Sequence, residues 1–109
     1  MSGPLAEDLP MTPASSLESL LGDSMESVYR EAGRLEEQGK FLQAFHLFLR
    51  VAEASPPPLA ARALNNAAVI LSDHGFEEDA REMLRLSLRQ DGQCAEAREN
   101  LACLEDRPS

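Results

Sequence analysis

EAGRLEEQGKFLQAFHLFLRVAEASP (residues 31–56) and NNAAVILSDHGFEEDAREMLRLSLRQDG (residues 65–92) are the two stretches that decide the fold. Set against each other at an offset of 36 residues, Leu35 falls on Leu71, Gly39 on Gly75, Ala44 on Ala80 and Phe48 on Leu84. Ala32 and Ala68 keep the same offset, and Ala102 follows Ala68 by 34. Each match has a steric reason. Gly39 and Gly75 allow a positive φ where the chain turns between two helices. Ala32, Ala44, Ala68 and Ala80 are small enough to let helices cross closely. Phe48 and Leu84 fill the space between helix pairs. Two helices per period of about 34 residues is the pattern of a stacked helix-pair solenoid.

On either side of these stretches the apolar residues recur at helical spacing. Met25, Val28, Ala32 and Leu35 form one stripe, opened by Asp23 with Glu26 three residues on as a capping box. Phe41, Ala44, Phe45, Phe48, Val51 and Ala52 form the next, stopped by Ser55-Pro56-Pro57-Pro58. A third helix is expected from Pro58 or Leu59, with Ala60, Ala63, Leu64, Ala67, Ala68 and Leu71 on its apolar side. Asp73-His74-Gly75 ends it. A fourth carries Phe76, Ala80, Met83, Leu84 and Ser87, and Asp91-Gly92 ends that. Ala97, Leu101 and Leu104 mark a last helix over 95–105.

The expected fold is therefore all-α, with antiparallel helix pairs stacked as a short solenoid and a C-terminal capping helix. Residues 1–14, with Pro4, Pro10 and Pro13, read as a disordered tail. Ser15 and Glu18 have capping-box spacing before Leu17, Leu20 and Leu21, and Gly22 supplies a stop, so a separate short helix is expected over 15–22. The domain proper then spans 23–105, with repeat one over 24–58, repeat two over 59–92 and the cap over 95–105.

These features together resemble the tetratricopeptide repeat (TPR) family, over about residues 24–105. Members of that family bind peptides or partner helices in a concave groove lined by the first helix of each pair. Carried onto this chain, the resemblance implies that Tyr29, Arg30, Arg62, Asn65, Asn66, Val69 and Asn100 face such a groove. The Asn65-Asn66 pair suits it, because each amide offers two donors and an acceptor to a peptide backbone. Some members grip a C-terminal carboxylate with Lys, Asn and Arg. Asn66 fits one of those places, but Tyr29, Gly33, Glu96 and Asn100 stand at the others, so that mode is not expected here.

Composition excludes several functions. Ten Lys and Arg against 19 Asp and Glu give a net charge of −9, the wrong sign for binding phosphates or anionic membranes. No apolar run approaches the roughly 20 residues of a membrane span. MSGPLAEDLP has neither the basic nor the apolar region of a secretory signal. Cys94 and Cys103, if on one helix, stand about 13 Å apart on opposite sides and cannot bridge. Free thiols fit a reducing compartment, so a cytoplasmic protein is expected.

No catalytic constellation is legible. His46, His74, Cys94 and Cys103 lack the close spacing of metal ligands, and Cys94 lacks the neighbours of an activated nucleophile. No catalytic, cofactor or metal role is expected. Arg81, Arg85 and Arg89 recur every four residues and read as a solvated face with i,i+4 ion pairs. The expected function is a protein–protein interaction module, an adaptor or assembly factor that captures a peptide or helix of another protein. The alternatives are a structural subunit of a homodimer or larger complex, and a small cytosolic chaperone masking a partner. A monomer is expected, with a homodimer as the alternative.

Overall fold

The computed structural model describes the backbone of residues 14–106 and the side chains of residues 25–106. Among the described residues every regular element is a helix: α1 (Ala14–Glu37), α2 (Phe41–Ala54), α3 (Pro57–Asp73), α4 (Glu77–Gln90) and α5 (Ala95–Glu105). Short turns join consecutive helices that pack on one another, which makes neighbours antiparallel. No described helix is long and apolar enough to cross a membrane.

The turns after α1 and α3 are built alike, bond for bond. The Lys40 N–H donates to the Leu35 carbonyl at 2.8 Å, and the Phe76 N–H donates to the Leu71 carbonyl at 2.8 Å. The Gly39 N–H reaches the Glu36 carbonyl at 3.0 Å, and the Gly75 N–H reaches the Ser72 carbonyl at 3.1 Å. This paired pattern is the Schellman motif, whose left-handed residue is here Gly39 at φ 81° and Gly75 at φ 90°. The 36-residue offset in the sequence is thus an offset between equivalent turns. The link between α2 and α3 works differently: Ser55 and Pro56 are extended, and Pro57 opens α3 one residue before the expected start.

Burial follows the matched positions. Ala32, Ala44, Phe48, Ala68, Ala80 and Leu84 are all buried. Phe48, Val51, Leu59, Ala63, Ala67 and Ile70 join Ala32 and Ala44 in a core shared by α1, α2 and α3. Ala61, Ala68, Ala80, Leu84, Cys94, Ala97 and Leu104 form a second core shared by α3, α4 and α5. α3 belongs to both, so it is buried on more of its circumference than a one-sided stripe requires. Its alanines make that double packing possible, since a larger residue would separate the helices on either side.

Two expectations need correcting. The break at Gly22 does not occur: α1 is one helix of 24 residues running through Gly22 and Asp23. Glycine inside a helix costs only about 1 kcal/mol relative to alanine and, unlike proline, removes no hydrogen-bond donor. The separate 15–22 helix is therefore the first part of α1. The expected tail, apart from Ala14, lies outside the described residues.

The arginine stripe on α4 is also not a uniformly solvated face. The Arg81 side chain is only 12% exposed and pairs with Glu77 and Glu78 at 4.0 and 3.6 Å. It also donates to the Leu104 carbonyl at 3.4 Å, and Arg85 pairs with Glu105 at 3.3 Å. Arg81 and Arg85 thus fasten α5 to α4.

Candidate partner-binding groove

α1, α3 and α5 each follow one odd-numbered step of the chain, and a line of polar side chains joins them. The Asn66 amide donates to the Tyr29 phenol oxygen at 3.0 Å, bridging α3 to α1. Asn100 donates to the Asn65 carbonyl oxygen at 2.9 Å, bridging α5 to α3. Asn65 in turn donates to the Asn66 carbonyl oxygen at 3.4 Å, closing the line. Tyr29 is held from beneath by Phe48, ring edge to face at 5.7 Å. Arg62 covers it from above, its guanidinium 5.1 Å from the ring centre.

Four of the residues expected to face one groove, Tyr29, Arg62, Asn66 and Asn100, are therefore brought together. Val69, one turn beyond Asn65 and Asn66 on α3, lies beside Asn100 in the wall of an adjoining cleft. Two others differ from expectation. Asn65 is only 6% exposed and spends its amide on Asn66 and Asn100. Successive residues on a helix lie 100° apart, so Asn65 and Asn66 project in different directions, Asn65 into the packed side and Asn66 toward Tyr29. Asn65 is the buried node that positions the other two amides. Arg30 is exposed and donates to the Ser27 hydroxyl of its own helix at 3.4 Å.

The cleft beside Val69 has a volume of about 200 Å³ and lies between α3 and α5. Ala68, Val69, Leu84 and Leu104 give it apolar walls. Ser72, Asp73, Asn100 and Cys103 supply its polar edge. Charge is distributed unevenly along the groove. Arg62 lies near the N-terminal end of α3, whereas Asp73 closes its C-terminal end and Glu36 and Glu37 close that of α1. Burial, the nearby Asp73 and then Glu37 hold the Glu36 carboxyl above its ordinary value.

A second, apolar surface lies outside the expected set of groove residues. Phe41, Leu42, Phe45, Leu71, His74 and Phe76 line an apolar cleft of about 270 Å³ beside the two Schellman turns. Leu42 is 71% and Phe76 55% exposed. His74 sits against Phe41, with ring centres 4.7 Å apart, and its Nδ1 lies 2.8 Å from the Ile70 carbonyl. Phe41 and Phe76 had been placed on the inner stripes of their helices. The available signal was their position at the very start of α2 and α4, where a helix has little neighbour to pack against. Among the described residues no group of three or more potential metal ligands occurs. No family model matches the chain, and neither a curated protein nor a solved structure matches it.

Proposed function

We propose that this chain is a protein–protein interaction module of TPR-like build, in which α1, α3 and α5 line the groove that receives a peptide or helix of a partner protein. The observation that carries this reading is the amide line from Tyr29 through Asn66 and Asn65 to Asn100. Three of its members, Tyr29, Asn66 and Asn100, are positioned by these bonds yet keep unused bonding capacity. Tyr29 accepts from Asn66, so its own hydroxyl proton is available to donate. Asn66 and Asn100 each retain a second N–H, and among the described residues the Asn100 carbonyl oxygen has no partner. Donors and acceptors at this spacing suit a peptide backbone, and the neighbouring apolar cleft suits a side chain.

The test begins with co-purification from the native cell and mass spectrometry, followed by calorimetry against the identified partner. Asn66→Ala with Asn100→Ala removes two bonds worth about 0.5–1.5 kcal/mol net each. Binding should weaken roughly tenfold, with the fold intact by thermal melting. If that variant binds normally while Arg85→Ala and Arg89→Ala abolish binding, the site lies on α4 and the groove reading fails.

The exposed Phe41, Leu42 and Phe76 favour a second reading, that of a subunit in a homodimer or larger complex. Light scattering separates the two. Self-association that disappears in Leu42→Asp supports the subunit reading, and a monomer at micromolar concentration contradicts a homodimer.

A further inference from the structure

We propose that the groove selects its partner through a lysine or arginine side chain, whose stem enters the cleft between α3 and α5 and whose charge meets Asp73 and Glu36. This rests on the groove reading above and goes beyond it by naming the chemistry of the occupant.

The cleft offers two environments in the order that a long basic side chain requires. Its walls are apolar, from Ala68, Val69, Leu84 and Leu104, and suit a run of methylenes. Its edge carries the Asp73 carboxylate, which suits a cationic head. The electrostatics of the surroundings act in the same direction. α1 and α3 both end here, and the C-terminus of a helix carries negative partial charge. Glu36 adds a second carboxylate near enough to Asp73 to feel its charge, with Glu37 next to it in the chain. Among the described residues no ion pair engages Asp73, Glu36 or Glu37: the cations that do pair, Arg34, Arg81 and Arg85, are held by Glu31, by Glu77 and Glu78, and by Glu105. His74, next in the chain after Asp73, is turned to the Ile70 carbonyl and Phe41. Glu36 holds its proton more tightly than usual, first because it is partly buried and then because Asp73 and Glu37 repel its charge. A partner's cation would supply a counter-charge, and an acidic or purely apolar segment would not.

The opposite end of the groove fixes the direction of the occupant. Arg62 precedes Asp73 by eleven positions on one straight helix, about 16 Å along its axis. An extended chain covers that distance in about four or five residues. The preferred segment therefore carries its basic residue at the Asp73 end and an acidic residue about four or five positions away, near Arg62.

The experiment selects random twelve-residue peptides displayed on phage against the full chain. Selected sequences are then synthesised with lysine, acetyl-lysine or norleucine at the shared position, and their affinities are measured by fluorescence anisotropy. The expected result is a shared Lys or Arg position. Acetylation, or Asp73→Asn in the protein, should weaken the lysine peptide by about tenfold or more. Asp73→Asn should leave the norleucine peptide unchanged, and Asp73→Lys should prefer the same peptide carrying glutamate. Asp73 is exposed at a helix end, so these variants leave the cores untouched, and melting temperatures check it. Peptides that lose affinity in Asn66→Ala or Asn100→Ala but have no basic position, or ignore Asp73→Asn, overturn this inference and leave the groove standing. Peptides indifferent to all of these variants, or a library from which nothing is selected, overturn the groove reading and this inference with it.

Discussion

Asn66 donates from its side-chain amide to the Tyr29 hydroxyl at 3.0 Å, across 37 residues of chain and between two helices that are not consecutive. Tyr29→Phe keeps the ring on Phe48 and removes only the acceptor. It should lower stability by about 0.5–1.5 kcal/mol, read from the denaturant midpoint. In an Asn66→Ala background the same substitution should cost much less, because the bond is already gone. Fully additive losses would show that the two groups do not interact in solution.

Gly39 and Gly75 occupy the same left-handed position of two equivalent turns. Gly39→Ala and Gly75→Ala should each cost about 1–2 kcal/mol, and by similar amounts. Neither site is crowded around an added Cβ, so backbone conformation alone supplies the penalty. Gly33 is the control: it lies inside α1 with open space beside it. Gly33→Ala should stabilise by about 0.5–1 kcal/mol. Melting temperatures that move the same way for all three would contradict the turn geometry.

Ser87 is fully buried in α4 and donates to the Ala61 carbonyl of α3 at 2.7 Å. That oxygen already serves its own helix, so the serine adds a bond between helices. Ser87→Ala should cost about 0.5–1.5 kcal/mol net. Ser87→Val, which also forces added bulk into a closed contact, should cost more. Chemical denaturation of both variants measures the difference, and an unchanged Ser87→Ala midpoint would remove this bond from the account.

Glu36 gives a prediction with a definite pH sign. Its carboxyl is raised above 4.5 in the folded chain, first by burial, then by Asp73 and Glu37. Between 4.5 and the raised value the folded state binds more protons than the unfolded state. Stability contributed by this group therefore falls as pH rises through that window, and the penalty is present above it. Glu36→Gln should melt higher than wild type at pH 7, and the gain should vanish below pH 4.5. Equal melting temperatures at pH 7 would place this carboxylate in free solvent.

Local chemistry that needs no partner was legible in the residues alone. Gly39 and Gly75 announced turns because a left-handed residue is nearly always glycine, and the turns lie there. Ser55-Pro56-Pro57 separated α2 from α3 for an equally local reason. Gly22 was misread because a helical glycine and a terminating glycine have the same composition around them. The i,i+4 pair of Arg81 with Glu77 was legible in the spacing, but the burial of Arg81 was not, because it depends on α5 arriving beside α4. The Asn65-Asn66 pair was legible as amide chemistry, but that Asn65 is buried and bonded to Asn66 and Asn100 depends on α5 arriving beside α3.

The sequence by itself determined five helical stretches, two glycine turns and the small residues at the helix crossings, except that it split α1 in two. Those features follow from backbone conformation and apolar spacing, which act within about ten residues. Only the tertiary structure decided which polar side chains meet. Tyr29, Asn66, Asn65 and Asn100 come from three helices, and their bonds exist because α3, packed between α2 and α4, carries its amides within reach of α1 on one side and α5 on the other. The same packing leaves Phe41, Leu42 and Phe76 at the surface although each is as apolar as a core residue. Burial is a property of the neighbours that a folded chain brings near, and hydropathy within one helix records only that some neighbour is wanted.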